Sequence, residues 1–217
     1  MTLLTQEFVD RYALETPPWG FGGMGEVVYL RTYSRSKGDG TIEIWPETLQ
    51  RVINGAADIG VDYTQKEAER LFDHMFNLRC SFSGRALWQL GTPLVQKLNG
   101  ASLNNCYYVN IETIEDFEFL FDMLMLGGGV GYSVERAKIH EFPKVKVGVE
   151  ITHERTNDAD IIVPDSRQGW SRMLHSTLKS YLDTGKSFSY STILVREFGA
   201  KLKTFGGTAS GPAALID

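Results

Sequence analysis

A cysteine followed at short distance by a run of glycines is the part of this sequence best suited to chemistry. Cys106 lies in a segment, 102–109, that mixes polar residues with aromatic and β-branched ones, which is typical of a β-strand. A reactive thiol can exchange electrons or act as a nucleophile. A buried cysteine that acts as a small apolar side chain is the commoner case. The residue types alone leave both interpretations open.

The residues after Cys106 predict a strand, a helix and a second strand. Thr113 and Asp116 have the spacing of a capping box at a helix start. Apolar residues follow at helical spacing and predict a core-facing stripe: Phe117, Leu120, Phe121, Leu124 and Met125. Residues 127–129 are glycines that stop the helix, and 130–134 return to an extended pattern. We therefore expect a βαβ-type unit with a thiol on its first strand and a side-chain-free loop before its second.

Residues 1–80 predict a mainly helical region. One helix is expected over 5–14, a second from Pro46, and a third from the capping box of Thr64 and Glu67. A turn is expected at the next segment, Ser83-Gly84-Arg85.

The residues after the central unit predict further strands and a helix. Alternation of Val145, Val147, Val149 and Ile151 with polar residues predicts a half-exposed strand in an antiparallel setting. Asp165 or Ser166 is expected to cap a helix. Two β-rich stretches follow, 188–195 and the shorter 201–205.

A glycine-rich segment near the amino terminus matches a nucleotide-binding pattern without the expected context. Residues 20–27, GFGGMGEV, fit G-x-G-x-x-G-x-V. A dinucleotide fingerprint needs a strand before it and a helix after it, whereas Pro17-Pro18 precedes this segment and the β-like VVYLRTY follows. The lysine strand, HRD-type loop and DFG of a kinase are not found in the sequence. A flexible turn is therefore favoured over a phosphate site.

Composition excludes several classes of protein. The 217 residues carry a net charge of −5, which argues against a protein held on a polynucleotide by a general positive field. We expect no membrane span because no run of 18 apolar residues exists, and the acidic amino terminus does not resemble a signal peptide. Two cysteines indicate a reducing compartment, so a cytoplasmic location is expected. The four histidines share no ligand spacing, so we expect no metal site.

Motifs spread along nearly the whole chain resemble those of the ribonucleotide reductases. The central matches are the strand Ser102-Leu-Asn-Asn-Cys106, the helix Phe119-Leu-Phe-Asp122 and the turn and strand from Gly127 to Val134. Others follow the family's order: Trp19-Gly20 with Arg31-Thr-Tyr-Ser-Arg35, Ser83 to Trp88, Pro164 to Trp170, and Phe205 to Pro212. The pattern is most similar to the monomeric, adenosylcobalamin-dependent (class II) ribonucleoside-triphosphate reductases.

The resemblance implies an α/β fold in three parts. These are a mainly helical amino-terminal region (1–90), the first strands of a ten-stranded α/β reductase barrel (91–145), and an inserted region similar to the effector-binding cap (146–217). Only the first barrel strands are matched. We therefore expect the amino-terminal portion of a reductase: a subunit of a split enzyme, a truncated form or a splicing precursor.

The resemblance also implies roles for single residues. Family members convert ribonucleotides to 2′-deoxyribonucleotides for DNA synthesis by thiyl-radical chemistry, and Cys106 falls on the position of one of their two reducing thiols. Ser83, Asn105 and Gly129 fall on positions that line the substrate nucleotide. Cys80 matches no family thiol and is expected to be an ordinary core or surface cysteine.

Cofactor and partners are implied in the same way. The family uses adenosylcobalamin, most of whose site is expected later in the chain, a dNTP effector and a thioredoxin-type reductant. No match is found for the family's radical cysteine, its second reducing thiol or its carboxy-terminal shuttle cysteines, so a carboxy-terminal reductase portion is an expected partner.

Two other functions stay open from the sequence. The first is a catalytically inactive nucleotide-binding or regulatory module derived from the reductase. The second is a phosphotransfer or nucleotidyl-transfer enzyme built on residues 20–27. The glycine-dense loop 206–212 has no assigned role. Asp165, Arg167 and Arg196 either face an effector or form surface ion pairs.

Overall fold

The computed structural model describes residues 3–98, 100–200 and 208–216. Two compact units make up the chain, Met1–Asn104 and Asn105–Asp217. Each unit has a hydrophobic core of its own.

The first unit is helical. Its α-helices are α1 (Gln6–Asp10), α2 (Met24–Thr32), α3 (Trp45–Asp58), α4 (Gln65–Phe76), α5 (Gly84–Gln89) and α6 (Pro93–Lys97). The core lies where the apolar sides of α3 and α4 meet α1, and its fully buried side chains include Leu49, Ile53, Phe72 and Met75. The helix starts at Pro46 and at the Thr64–Glu67 capping box are confirmed.

A buried polar network joins α2 and α3 to the end of α5. The Arg51 guanidinium pairs with the Glu43 carboxylate at 2.7 Å and donates to the Leu90 carbonyl. The Tyr29 hydroxyl donates to the Glu43 carbonyl at 2.9 Å. Burial raises the pKa of Tyr29 to about 12, although hydrogen bonds with Thr48 and Ser34 work against that shift. This tyrosine is therefore a neutral core residue.

The second unit begins with the predicted strand, helix and strand. Strand β1 (Cys106–Asn110) pairs in parallel with β2 (Gly129–Ser133), and α7 (Ile114–Met125) connects them. The Thr113–Asp116 capping box starts α7 as predicted. Gly127 follows α7 with φ +77°, a left-handed conformation that glycine adopts at low cost.

The rest of the second unit, as far as the structure describes it, consists of a small sheet, one longer helix and two short helices. Its elements are α8 (Arg136–Glu141), β3 (Ile151–Glu154), β4 (Ile161–Ile162), α9 (Arg167–Lys179), a π-helical turn (Ser180–Thr184), β5 (Phe188–Ser191) and α10 (Ala213–Ile216). The strand order is β3–β5–β4, and both pairings are parallel. Val163, Met173 and Val195 form the buried core here. Ser166, one of the two predicted residues, caps α9 by accepting from the Gly169 amide.

The prediction of a β-like segment after the glycine-rich turn is wrong. Residues 24–32 form α2, although they include the β-branched pair Val27-Val28. The helix is stabilised because it places Tyr29 in the core, where the ring stacks on Trp19 at 5.5 Å and meets Trp45 edge-on at 5.1 Å. Tertiary packing thus overrides local propensity.

The predicted strand through Val145 and Val147 is also wrong. Residues 147–148 form a turn, and Val147 is fully exposed. The strand starts only at Ile151, and its partner is parallel rather than antiparallel. The alternation of valines with polar residues over this short stretch therefore occurs in a loop, where the valines do not share a buried face.

Several boundaries and burial predictions also differ. Helix α1 ends at Asp10 instead of reaching 14, β5 ends at Ser191 instead of 195, and Ser102 and Leu103 form a 3₁₀ turn before β1. The α7 stripe is half-buried rather than core, with Leu124 47% exposed. The strand predicted at 201–205 and the start of the 206–212 loop lie outside the described residues.

Candidate active site

Cys106 and Gly129 lie directly opposite each other on neighbouring strands. They are Cα partners in the parallel pairing of β1 with β2, and both are exposed. The Gly129 amide donates to the Asn105 carbonyl at 2.7 Å, which fixes the two strands at this level. The predicted thiol, its neighbour Asn105 and the predicted glycine are thus brought together by main-chain pairing.

The face of the strand pair that carries Cys106 has three levels. Because partners in a parallel ladder point to the same side, the levels are Cys106 with Gly129, Tyr108 with Gly131, and Asn110 with Ser133. The Ser133 hydroxyl donates to the Asn110 side-chain oxygen at 2.7 Å, which confirms the shared face. The opposite face contacts α7, where the Tyr107 ring meets Phe119 edge-on at 6.2 Å.

The glycines along this turn and strand meet different surroundings. A Cβ at Gly128 would lie 2.7 Å from the Tyr107 ring, so packing excludes a side chain there. A Cβ at Gly131 would lie 3.1 Å from the Tyr108 ring. A Cβ at Gly129 would meet only the Asn105 carbonyl oxygen at 3.6 Å, an ordinary contact. Neither packing nor a positive φ requires glycine at 129, so the absence of a side chain there leaves open space over the strand.

Ser83 lies in the first unit and starts a helix instead of a free turn. Its hydroxyl accepts from the Ala86 amide at 3.4 Å as the N-cap of α5, and the residue is exposed. The capping role explains a serine at this position without a ligand. Asn105 is also exposed, but it belongs to the second unit and directly precedes Cys106 in the sequence.

Both cysteines are free, exposed thiols. Of the two expected positions for Cys80, core or surface, the structure shows the surface. No disulfide joins it to Cys106, so the Cys106 thiol is available for other chemistry.

A polar contact between α7 and α9 was not anticipated from the sequence. Glu118 accepts from the Ser171 hydroxyl at 3.2 Å and contacts His175 Nδ1 at 3.1 Å. The Arg167 guanidinium pairs with Asp122 on the same two helices. The sequence shows polar residues at helical spacing within α7 and within α9. It does not show that these two helices pack side by side. The contact fixes α7 beside α9.

Other candidates from the sequence are engaged within the chain. Arg196 Nε donates to both oxygens of Asp165, at 2.8 and 3.0 Å, which gives the surface ion pair that the sequence left open. In the 20–27 turn, the Met24 and Gly25 amides donate to the Phe21 and Gly20 carbonyls, so two donors that a phosphate would need are used. A helix does follow this turn, but no strand precedes it among residues 3–20, so the dinucleotide fingerprint is incomplete.

Within the described residues, no group of three or more histidine, cysteine, aspartate or glutamate side chains is placed to hold a metal ion. No helix in the described part of the chain has the length and apolarity needed to cross a membrane.

Comparison with known proteins shows first a similarity to one class of enzyme. Residues 4–92 match the family described as the ribonucleotide reductase alpha domain. A crystal structure of a B12-dependent (class II) ribonucleotide reductase superimposes with a TM-score of 0.79 at 32% identity, and covers 98% of this chain and 38% of that one. The chain is therefore similar over nearly its whole length to part of a class II ribonucleotide reductase, and the resemblance predicted from its motifs is confirmed.

Individual relatives carry a more specific name. The adenosylcobalamin-dependent ribonucleoside-triphosphate reductase of Euglena gracilis is 36% identical over 99% of this chain and 31% of its own length. The enzyme of the same name from Lactobacillus leichmannii is 34% identical over 98% of this chain and 37% of its length. The chain thus spans about a third of the curated relatives that it matches.

Proposed function

We propose that this chain is the amino-terminal portion of an adenosylcobalamin-dependent ribonucleotide reductase that reduces ribonucleoside triphosphates to 2′-deoxyribonucleotides. The observation that carries the proposal is the pairing of the exposed Cys106 thiol with Gly129 on one face of β1 and β2. The names of the relatives support the reaction, the triphosphate substrate and the cofactor.

The substrate ribose binds over Gly129 in this proposal. The open space above that residue lets a sugar approach the main chain closely while Cys106 lies on the neighbouring strand. The exposed Asn105 beside the thiol offers an amide for hydrogen bonding to the nucleotide. Ser83 stays a proposed nucleotide contact on the resemblance alone, since its hydroxyl caps α5 in the first unit.

Cys106 supplies half of the reducing equivalents. Cys106 and a second thiol, located beyond these residues, each give up a proton and an electron as they form a disulfide. Two electrons and a proton replace the 2′-hydroxyl of the ribose with hydrogen, and the hydroxyl leaves as water with the other proton. A thioredoxin-type reductant then restores the two thiols.

The cofactor site lies mainly in the remaining two thirds of the enzyme. Radical initiation is the chemistry that adenosylcobalamin would supply when bound, at a cysteine outside these residues. The described residues fit the reducing step, since an exposed thiol is present among them. The carboxy-terminal portion, in the same polypeptide or a second one, is therefore a required partner.

The expected three-part organisation belongs to the same proposal. Residues 1–90 form the helical lead-in, 91–145 start the barrel, and 146–217 contribute to the site of a dNTP effector. The parallel pair β1–β2 supports the barrel start, since it has the strand–helix–strand connection that such a barrel repeats.

Replacement of the thiol tests this function. In the complete reductase, Cys106→Ser should abolish multiple-turnover formation of deoxynucleotide while nucleotide binding by equilibrium dialysis stays near normal, because serine keeps the size but cannot form a disulfide. Cys80→Ser, at the other exposed thiol, is the matched control and should turn over normally. Normal turnover of Cys106→Ser would refute the assignment.

The inactive-module alternative predicts a different result. A regulatory derivative would bind nucleotide and stay inactive when mixed with the carboxy-terminal portion of a reductase, whereas the proposed enzyme gains activity. The phosphotransfer alternative at 20–27 requires loss of nucleotide binding in Gly22→Val with Gly25→Val, and the engaged Met24 and Gly25 amides argue against it.

A further inference from the structure

Helix α2 carries apolar side chains on two opposite sides. Tyr29 on the inner side is 4% exposed and packs against Trp19 and Trp45. Met24, Val27 and Val28, at the i, i+3 and i+4 positions of one stripe, are 58%, 57% and 38% exposed. The inner side completes the core of the first unit, so the outer stripe is not needed for it.

The turn before α2 adds an aromatic ring to this stripe. Phe21 is 94% exposed and adopts φ +57°, a left-handed conformation that is uncommon for a residue with a side chain. The conformation costs about 1–2 kcal/mol and gains no contact with the core of the first unit. We name Phe21, Met24, Val27 and Val28 the α2 patch.

A helix that is apolar on both sides is typical of one that is buried on both sides. The patch has only four side chains, whereas a stable dimer interface uses roughly 20–30 residues on each partner. It is therefore suited to form part of a larger contact. The relatives have about two thirds of their length beyond the part that this chain matches, which is a partner of the required size.

We propose that the α2 patch is a docking surface for the carboxy-terminal portion of the reductase. This inference rests on the proposed function, because it takes that portion as the occupant. It explains the β-branched residues of α2 and the strained Phe21 turn without a phosphate ligand. The patch lies in the first unit, whereas Cys106 and Gly129 belong to the second, so a docking defect and a chemical defect are separable.

Thiol labelling of the complete reductase tests the proposal. Val27→Cys should react with a maleimide at least roughly tenfold more slowly than Val147→Cys, since the first is buried by docking and Val147 is fully exposed in a turn. Mass spectrometry of the labelled peptides separates these sites from the native thiols. Equal, fast labelling of both positions would overturn the proposal, and so would protection of position 27 that appears only on dimer formation.

A charge substitution gives a second, independent readout. Val27→Glu keeps helix propensity, because glutamate is the better helix former, but it would place an unpaired carboxylate in the docked surface. The thermal midpoint of the complete enzyme should fall, while Val147→Glu leaves it unchanged. An unchanged midpoint for Val27→Glu would count against docking. A normal turnover by Cys106→Ser would instead refute the role of this thiol, while the labelling of position 27 would still report whether the patch is covered.

Discussion

Three consecutive glycines after α7 differ in whether the fold requires glycine at their position. Gly127 adopts a left-handed φ, and the Tyr107 ring fills the space beside Gly128. Gly129 has neither constraint, although it is the glycine opposite the thiol. In the proposed enzyme, glycine at 129 leaves room for the substrate and is not required by the fold.

Alanine at each of these two positions should separate folding from substrate binding. Gly128→Ala should lower the free energy of unfolding by about 1–3 kcal/mol, because its Cβ overpacks against Tyr107. Gly129→Ala should change it by less than about 1 kcal/mol, yet reduce kcat/KM of the complete reductase by roughly tenfold to a hundredfold as the sugar is displaced. Urea unfolding and steady-state kinetics measure the two effects. A Gly129→Ala enzyme with normal kcat/KM would show that the sugar does not lie there.

The positions of the candidate site residues in strands and turns were predicted in part from the sequence. Cys106 and Gly129 were selected through the family resemblance, since the residue types alone left a structural cysteine open. Their direct opposition could not be predicted, since register depends on how α7 returns the chain to the sheet. Ser83 was predicted as part of a turn because the short helix α5 has too few residues to display a periodic pattern.

The capping box of α7 makes this helix sensitive to acid. Asp116 accepts from the Glu112 and Thr113 amides and from the Thr113 hydroxyl, at 2.9, 2.7 and 2.9 Å. Partial burial works to raise the pKa of Asp116, but these hydrogen bonds outweigh it and lower the pKa below its ordinary value. The carboxylate therefore stabilises the fold above about pH 4, and this contribution is lost as pH falls through the lowered pKa.

Asp116→Asn should accordingly reduce stability near neutral pH and flatten its dependence on pH. The difference in unfolding free energy from the native chain should be largest above about pH 5 and shrink towards pH 3, as measured by urea unfolding across that range. Glu115→Gln, which leaves the capping hydrogen bonds intact, is the control. A difference that stays constant with pH would contradict the assigned role of the carboxylate.

Whole elements were predicted well where local signals and burial agree. Helices α3, α4, α7 and α9 each have a clear start and an apolar stripe. Helix α2 and the turn at 147–148 were missed because β-branched residues and alternation suggested strands. In α2 the deciding interaction is the packing of Tyr29 against Trp19 and Trp45, which lie outside the helix and so are not part of its residue pattern.

At the scale of the molecule, its two exposed thiols lie in different units, and only one belongs to the candidate site. A saturating ribonucleoside triphosphate should therefore protect Cys106 of the complete reductase from alkylation. At about 100 times the dissociation constant, its modification should slow roughly a hundredfold, while Cys80 reacts at an unchanged rate. Quantitative peptide mass spectrometry after iodoacetamide treatment distinguishes them. Protection of both thiols would indicate a general change in shape instead of direct cover, and protection of neither would count against the proposed site.

The amide of Gly129 and the carbonyl of Asn105 hold β1 and β2 together at the level of the sulfur. Every amino acid except proline has this amide donor. The distance between the two strands therefore does not depend on which side chains lie on their exposed surfaces. A protein engineer could thus redesign the solvent-facing positions of α7 for solubility and still retain the spacing across which the sulfur would reach its target.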